Sequence, residues 1–399
     1  MKALWIAAIA LGALAACSPP PNEPGPIKHS ESAAPTAPRP PWKHQPALDR
    51  AIQLVLDTQK QKGDWGYMSK RPRDIMLGSI NSLHVWGNTS TALCVQGLLM
   101  QQPTPEINQA VRRGLEYLIT APDTPRATMS VFYNVWAHAY MIESFAHAIR
   151  DPRFEDLRSG MRKRSEHELR RLLMHQGLDG GWGYYDFSQR TLQPSGSIST
   201  PMSTTAALVG MYEGQQAGIA IPDHNIAIGV QYLLRMRFPN GAYAYSTGHK
   251  YAPMGRASLP RGSLGRSQAG DNALFTWRHL FKEGDPQKVT AQTLRAQLDY
   301  FFKDHVFIEI GRGRQYPHEA WYATAPYYYY FGHYYASRNV LALPADIREE
   351  YADRLAEFVV AGQYDDGSFW DYPLYGYTKD YGTGYGLMIL ANCKRAAGH

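Results

Sequence analysis

The chain has 399 residues, 44% hydrophobic and 19% charged, with 41 Lys and Arg against 35 Asp and Glu, for a formal charge of +6. A pI of about 9.0 suits anionic envelope surfaces, but the basic residues do not cluster into a nucleic-acid footprint, and no nucleic-acid partner is expected. The single short basic run, Arg162-Lys163-Arg164, reads as the solvated face of a helix.

Residues 1–16 hold one Lys, an apolar stretch too short to cross a bilayer, and the ending Leu14-Ala15-Ala16 ahead of Cys17. This is the pattern of a secretory signal. The ending resembles a bacterial lipobox, which implies that Cys17 is lipidated and that its lipid holds the protein to a membrane. With Ser18 rather than Asp next, the same resemblance implies an outer-membrane lipoprotein facing the periplasm or the cell surface. Ten of the 27 prolines fall in 18–46, and 17–46 has almost nothing to bury. It reads as a disordered tether, semi-rigid at ~3.1 Å per residue and so on the order of 80 Å long.

The remaining segment, 47–399, is too long for one core outside a closed ring or solenoid. Apolar positions at helical spacing pair as 48–59 with 89–100, 107–119 with 130–148, 154–175 with 204–216, 226–236 with 272–281, 289–302 with 320–335, and 347–360 with 384–393. First members carry charge on one face, while second members are small, apolar and nearly uncharged, as in Thr204-Thr-Ala-Ala-Leu-Val-Gly. A one-sided helix faces water and a helix apolar all round is buried. The expected fold is therefore all-α, an (α/α)6 toroid of six outer and six inner helices, and a monomer.

One phrase punctuates the pairs. Gln59-Lys-Gln-Lys-Gly63-Asp-Trp65, Gln176-Gly-Leu-Asp-Gly180-Gly-Trp182 and Gln363-Tyr-Asp-Asp-Gly367-Ser-Phe369-Trp370 share a Gln, a Gly and an aromatic, and Arg237-Phe-Pro-Asn-Gly241-Ala-Tyr243 is a degenerate copy. The Gly closes a helix and the Gln bridges helix ends, meeting carbonyls of the finishing helix and amides of a neighbour. Trp65, Trp182 and Trp370 are read as structural staples.

This phrase resembles the QW repeat of terpenoid cyclases, and 47–399 resembles the terpenoid cyclase and protein prenyltransferase toroid superfamily. The resemblance implies the closed double ring. It does not extend to the chemistry, because the chain has no Asp-x-Asp-Asp acid, no His among the prenyltransferase zinc ligands at Lys379 to Tyr385, and no Cys-x-Glu-Gln thioester at Cys94. His84, His138 and His147 lack metal-ligand spacing, so neither a metal nor another cofactor is expected.

Candidate site residues lie where the chain enters inner helices. His318, Glu319 and Trp321 precede the aromatic run Tyr327, Tyr328, Phe331, His333 and Tyr334, in which Tyr327, Tyr330 and Tyr334 share one helix face and Tyr328, Phe331 and Tyr335 the next. Arg261 and Arg266, in a Gly/Ser/Arg loop ending at Asp271, offer cations, and Tyr377 and Asp380 stand in a Gly/Tyr stretch. Asp271, Glu319 and Asp380 are the candidate acids, and the rings line a central cavity for an apolar or glycan ligand. Two classes of function remain: a terpenoid-cyclase-like or carbohydrate-active enzyme, and a non-catalytic envelope lipoprotein that binds a ligand or protein.

Overall fold

Among the described residues, twelve helices of 13 to 20 residues alternate between two layers. The outer set is α1 (Gln45–Thr58), α3 (Pro105–Thr120), α5 (Arg158–Met174), α7 (Asp223–Met236), α9 (Ala291–Lys303) and α11 (Ala345–Ala361). The inner set is α2 (Ile80–Leu99), α4 (Asn134–Ile149), α6 (Pro201–Gln216), α8 (Leu264–Thr276), α10 (Tyr329–Leu341) and α12 (Tyr377–Ala396). This computed structural model describes residues 40–66, 80–124, 134–183, 199–251, 255–312, 314, 322–323, 328–373 and 376–399. The signal, Cys17, nearly all of the tether, His318, Glu319, Trp321 and Tyr327 lie outside them, and of Tyr377 only the backbone is described.

Each inner helix packs on the next, α2 on α4, α4 on α6, α6 on α8, α8 on α10 and α10 on α12, and α12 returns to α2. The protein is thus an (α/α)6 toroid. Burial follows: α4 buries almost every residue, whereas α1 buries only Ala47, Leu48, Ala51 and Val55. Each outer helix lies over the inner helix that precedes it round the ring, α1 over α12, and α5, α7, α9 and α11 also touch the one that follows. Trp182–Gly183 and Ser199–Thr200 add a two-stranded antiparallel ribbon.

Besides α2, which begins nine residues early at Ile80, three inner helices are displaced from their expected bounds. The helices α8 and α12 begin earlier, taking in Arg266, Asp271 and Asp380, because their glycines mark close packing and not loops. A Cβ on Gly270 would stand 2.4 Å from the Tyr243 ring, and one on Gly382 2.1 Å from the Phe369 carbonyl. The third, α10, runs later, to Leu341. Within the outer layer, Arg164 is not solvated: it donates to Glu168 at 2.7 Å and to the Ala121 carbonyl. Cys94 and Cys393 are buried free thiols.

The Gln phrase works as a seam. Gln59 Nε2 donates to Gly63 and to Ala110 of α3, Gln176 Nε2 to Gly180 and to Asn225 of α7, and Gln363 Nε2 to Gly367 and to Ala47 of α1. The bridged groups are carbonyls on both sides, of the turn itself and of the next outer helix, rather than carbonyls and amides. In the degenerate copy the direction reverses, and Gln297 of α9 donates to Gly241. The aromatic amide of each copy finds a hydroxyl on the following inner helix or just before it: Trp65 on Thr91, Trp182 on Thr204, Tyr243 on Ser263 and Phe369 on Thr383. The staple in the last copy is therefore the fully buried Phe369, and Trp370 is half-buried with its indole on Thr378.

Candidate functional site

Connections from outer to inner helices are long, at 59–79, 121–133, 175–200, 237–263, 304–328 and 362–376, while returns such as 100–104 and 342–344 are short. All six long connections therefore enter the inner barrel at its N-terminal end. Loops carried on a rigid scaffold are where binding groups concentrate.

At that end the barrel axis is filled with rings. Trp136 of α4 is the hub: its centroid lies 5.9 Å from Trp86, 6.2 Å from Tyr328, 6.2 Å from Phe331 and 6.3 Å from Tyr381. Edge-to-face and offset contacts at these separations are the favourable ones. Tyr385 meets Tyr140 through their hydroxyls one layer deeper. The half-buried Tyr245 lies above this floor, its hydroxyl 3.5 Å from that of Tyr328, with His249 beside its ring and the buried Arg266 guanidinium 5.3 Å from it. Burial lowers the Arg266 pKa to about 10; the side chain donates to the Ala257 carbonyl.

Asp371, in the connection leading to α12, is fully buried near Tyr381. Burial holds its carboxyl well above the usual carboxylate range, against the pull of the first α10 amides, at Tyr330 and Tyr329, and of Arg312. Among the described residues neither oxygen completes a hydrogen bond. Asp380, half-buried in the first turn of α12, accepts from the Gly66 amide at 2.8 Å.

The expected residues separate. Asp271 faces the outer layer, where it accepts from Tyr243 at 2.8 Å and pairs with Arg237 at 3.2 Å, and burial raises its pKa to about 6 against the pull of Arg237. That pair fills the seam where the other copies have Gln. His333 also turns outward: Nδ1 lies 2.7 Å from the Tyr329 carbonyl and Nε2 2.8 Å from His305 Nε2, so this neutral pair shares one proton between rings. Arg261 pairs with Asp304 at 3.3 Å over Phe307. Tyr330 donates to the Gly362 carbonyl, so the expected common face of Tyr330 and Tyr334 is split, one outward and one to the axis. Tyr328 and Tyr334 face the axis, packed ring on ring against Trp136, Phe331 and Tyr385, and Tyr334 also reaches a hollow at the opposite end of the barrel. The pattern reading missed Trp86, Trp136, Tyr245 and Asp371; Tyr245, two residues beyond the aromatic of the degenerate phrase, carried a signal.

No protein-family model matches the chain, and no curated protein does. Among solved structures, the GH76A α-1,6-mannanase of Salegentibacter sp. HEL1_6 is similar over 88% of this chain and 99% of its own at 10% identity, with a TM-score of 0.54. A possible member of family GH105 from Salmonella enterica is similar over 93% and 98% at 12% identity, with a TM-score of 0.52. A type II terpene cyclase from Scytonema covers 88% of this chain with a TM-score of 0.32, too low to carry an argument. At these identities the likeness is one of fold: a toroid of paired helices.

Proposed function

We propose that the protein is an exported lipoprotein, anchored through lipidated Cys17, whose toroid binds a glycan at the face built by the long connections. The observation that carries this reading is the ring cluster around Trp136, contributed by α2, α4, α10 and α12 and topped by the half-buried Tyr245. Aromatic walls with a few convergent polar groups are the usual make-up of a small-molecule site, and here Arg266 and His249 stand beside Tyr245. The mannanase and the possible GH105 member, both with TM-scores above 0.5, are carbohydrate-active proteins, which favours a glycan over a hydrocarbon. The substrate is not carried over from the mannanase. An inactive form of that enzyme replaces two adjacent aspartates, and this chain's one such pair, Asp365-Asp366, sits in a hinge where Asp366 is held by Ser368 and Lys379.

Asp371 supports a hydrolytic second reading. A carboxyl kept protonated by burial is the form a general acid requires, and Asp380 is the second carboxyl that glycoside hydrolysis calls for. A glycan array with the purified lipid-free domain tests both. A bound glycan should lose ~1 to 3 kcal/mol of affinity in Tyr245→Ala, as removal of a stacked ring does, and in an enzyme Asp371→Asn should stop turnover while binding persists. Failure of every glycan to bind, or indifference of binding to Tyr245, rejects the proposal.

A further inference from the structure

At the other end of the barrel, the inner helices finish around a hollow of about 410 Å³. Its wall takes Met100 from just beyond α2, His147 from α4, Glu213 from α6, Asn272 from α8, Arg338 from α10 and Arg395 from α12. The deep charges answer one another. Arg338 lies 3.3 Å from both Glu143 and Glu213, Arg150 takes the other oxygen of Glu213 at 2.7 Å, and Tyr334 donates to Glu143 at 2.8 Å. Two guanidiniums thus face two carboxyls, and burial keeps His147 neutral by lowering its pKa to about 4.

The rim is different. Arg278 and Arg395 line the same hollow and have no acid partner among the described residues; Arg278 lies 4.3 Å over the Phe275 ring and donates to the Phe275 carbonyl. Between rim and floor, Asn272 donates an amide hydrogen to Asn339, while its buried Oδ1 accepts from nothing among the described residues. A wall with spare cationic forks at the lip and an unanswered acceptor inside matches a ligand that is acidic at one end and donates a hydrogen bond at the other. A bare anion would leave Asn272 Oδ1 unsatisfied, and a neutral sugar would leave the two guanidiniums unused.

We propose that this hollow is a second ligand site, taking a small phosphate- or carboxylate-bearing polyol whose acidic oxygens meet Arg278 and Arg395 and whose hydroxyl donates to Asn272 Oδ1. The site does not depend on the glycan reading, since it opens at the opposite end of the barrel. The rival role for the two arginines is to neutralise the carbonyl ends of the inner helices, which converge here. Titration calorimetry at fixed ionic strength separates the two, with inorganic phosphate, glucose 6-phosphate and glucuronate as probes. Glucose 6-phosphate or glucuronate should bind at least tenfold more tightly than inorganic phosphate. The double variant Arg278→Gln/Arg395→Gln should weaken that binding tenfold or more while melting like wild type without ligand, and Tyr245→Ala should leave it unchanged. No binding of any probe, or binding that survives the double variant, overturns the proposal, as does a double variant that melts lower and binds as wild type.

Discussion

Gln363 Nε2 donates at 2.8 Å to the carbonyl of Ala47, 316 residues earlier, and this bond joins the last outer helix to the first. Its Oε1 accepts from Arg50 of the same helix α1 at 2.6 Å. Gln363→Ala removes both and leaves the Gly367 and Ala47 carbonyls without their donor, at a cost of roughly 1 to 3 kcal/mol. Gln176→Ala, which strips the corresponding bonds to Gly180 and Asn225, should cost as much. Chemical denaturation of the two variants checks this, and wild-type midpoints in both would remove the seam from the account of stability.

The hinge glycines should be less forgiving than the glutamines. Gly180 has φ +86°, and a Cβ there would lie 2.6 Å from the Ile228 carbonyl of α7. Gly180→Ala therefore combines left-handed backbone strain with a clash and should cost more than about 2 kcal/mol. Gly284 has φ +78° with open space around it, so Gly284→Ala isolates the backbone part and should cost clearly less. Equal losses at the two positions would mean that the close approach of hinge to outer helix is unimportant.

Stability should also depend on pH through Glu143. Burial raises its pKa from 4.5 to about 7, although Arg338 and Tyr334 pull the other way. The folded state then holds a proton that the unfolded chain has lost, so this contribution is full below pH 4.5 and disappears as pH rises through about 7. Glu213 behaves oppositely: against the push of burial, His147, Arg338 and Arg150 hold its pKa down to about 2, so its contribution is lost only in acid. Glu143→Gln keeps an acceptor for Tyr334 but cannot ionise. Relative to wild type it should gain about 2.5 kcal/mol between pH 5 and pH 8, read from melting curves at the two values, and a pH-independent difference would contradict the assignment.

Membrane attachment is tested at Cys17. Among the described residues no helix is long and apolar enough to cross a membrane, so the proposed anchor rests on the lipid. Cys17→Ser should move the protein from the membrane to the soluble fraction on cell fractionation; unchanged sedimentation with membranes would refute the anchor.

The alternation of one-sided and wholly apolar helices made the double ring legible, because each layer's burial is written into its own segment. The repeated Gln and Gly were legible for the same local reason. What the sequence concealed depends on distant partners. The glycines of α8 and α12 look like loop residues until Tyr243 and Phe369 are seen pressed against them. Asp371 looks like an ordinary hinge acid, and only the start of α10, some forty residues upstream, buries it. The Glu143–Arg338 pair spans 195 residues, beyond the reach of any spacing rule. The direction in which each aromatic of α10 points was also hidden, since helical periodicity groups residues by face without saying which face turns inward.

A linear array of repeats has two ends, which need polar caps and from which it can fray. With α12 packed on α2 and Gln363 bonded to Ala47, this fold has neither. Loosening any one hinge takes support from the outer helix beyond it, and that loss has no terminus at which to stop. The domain should consequently resist partial opening and give way as a whole, in a single sharp calorimetric transition in place of stepwise melting from one side.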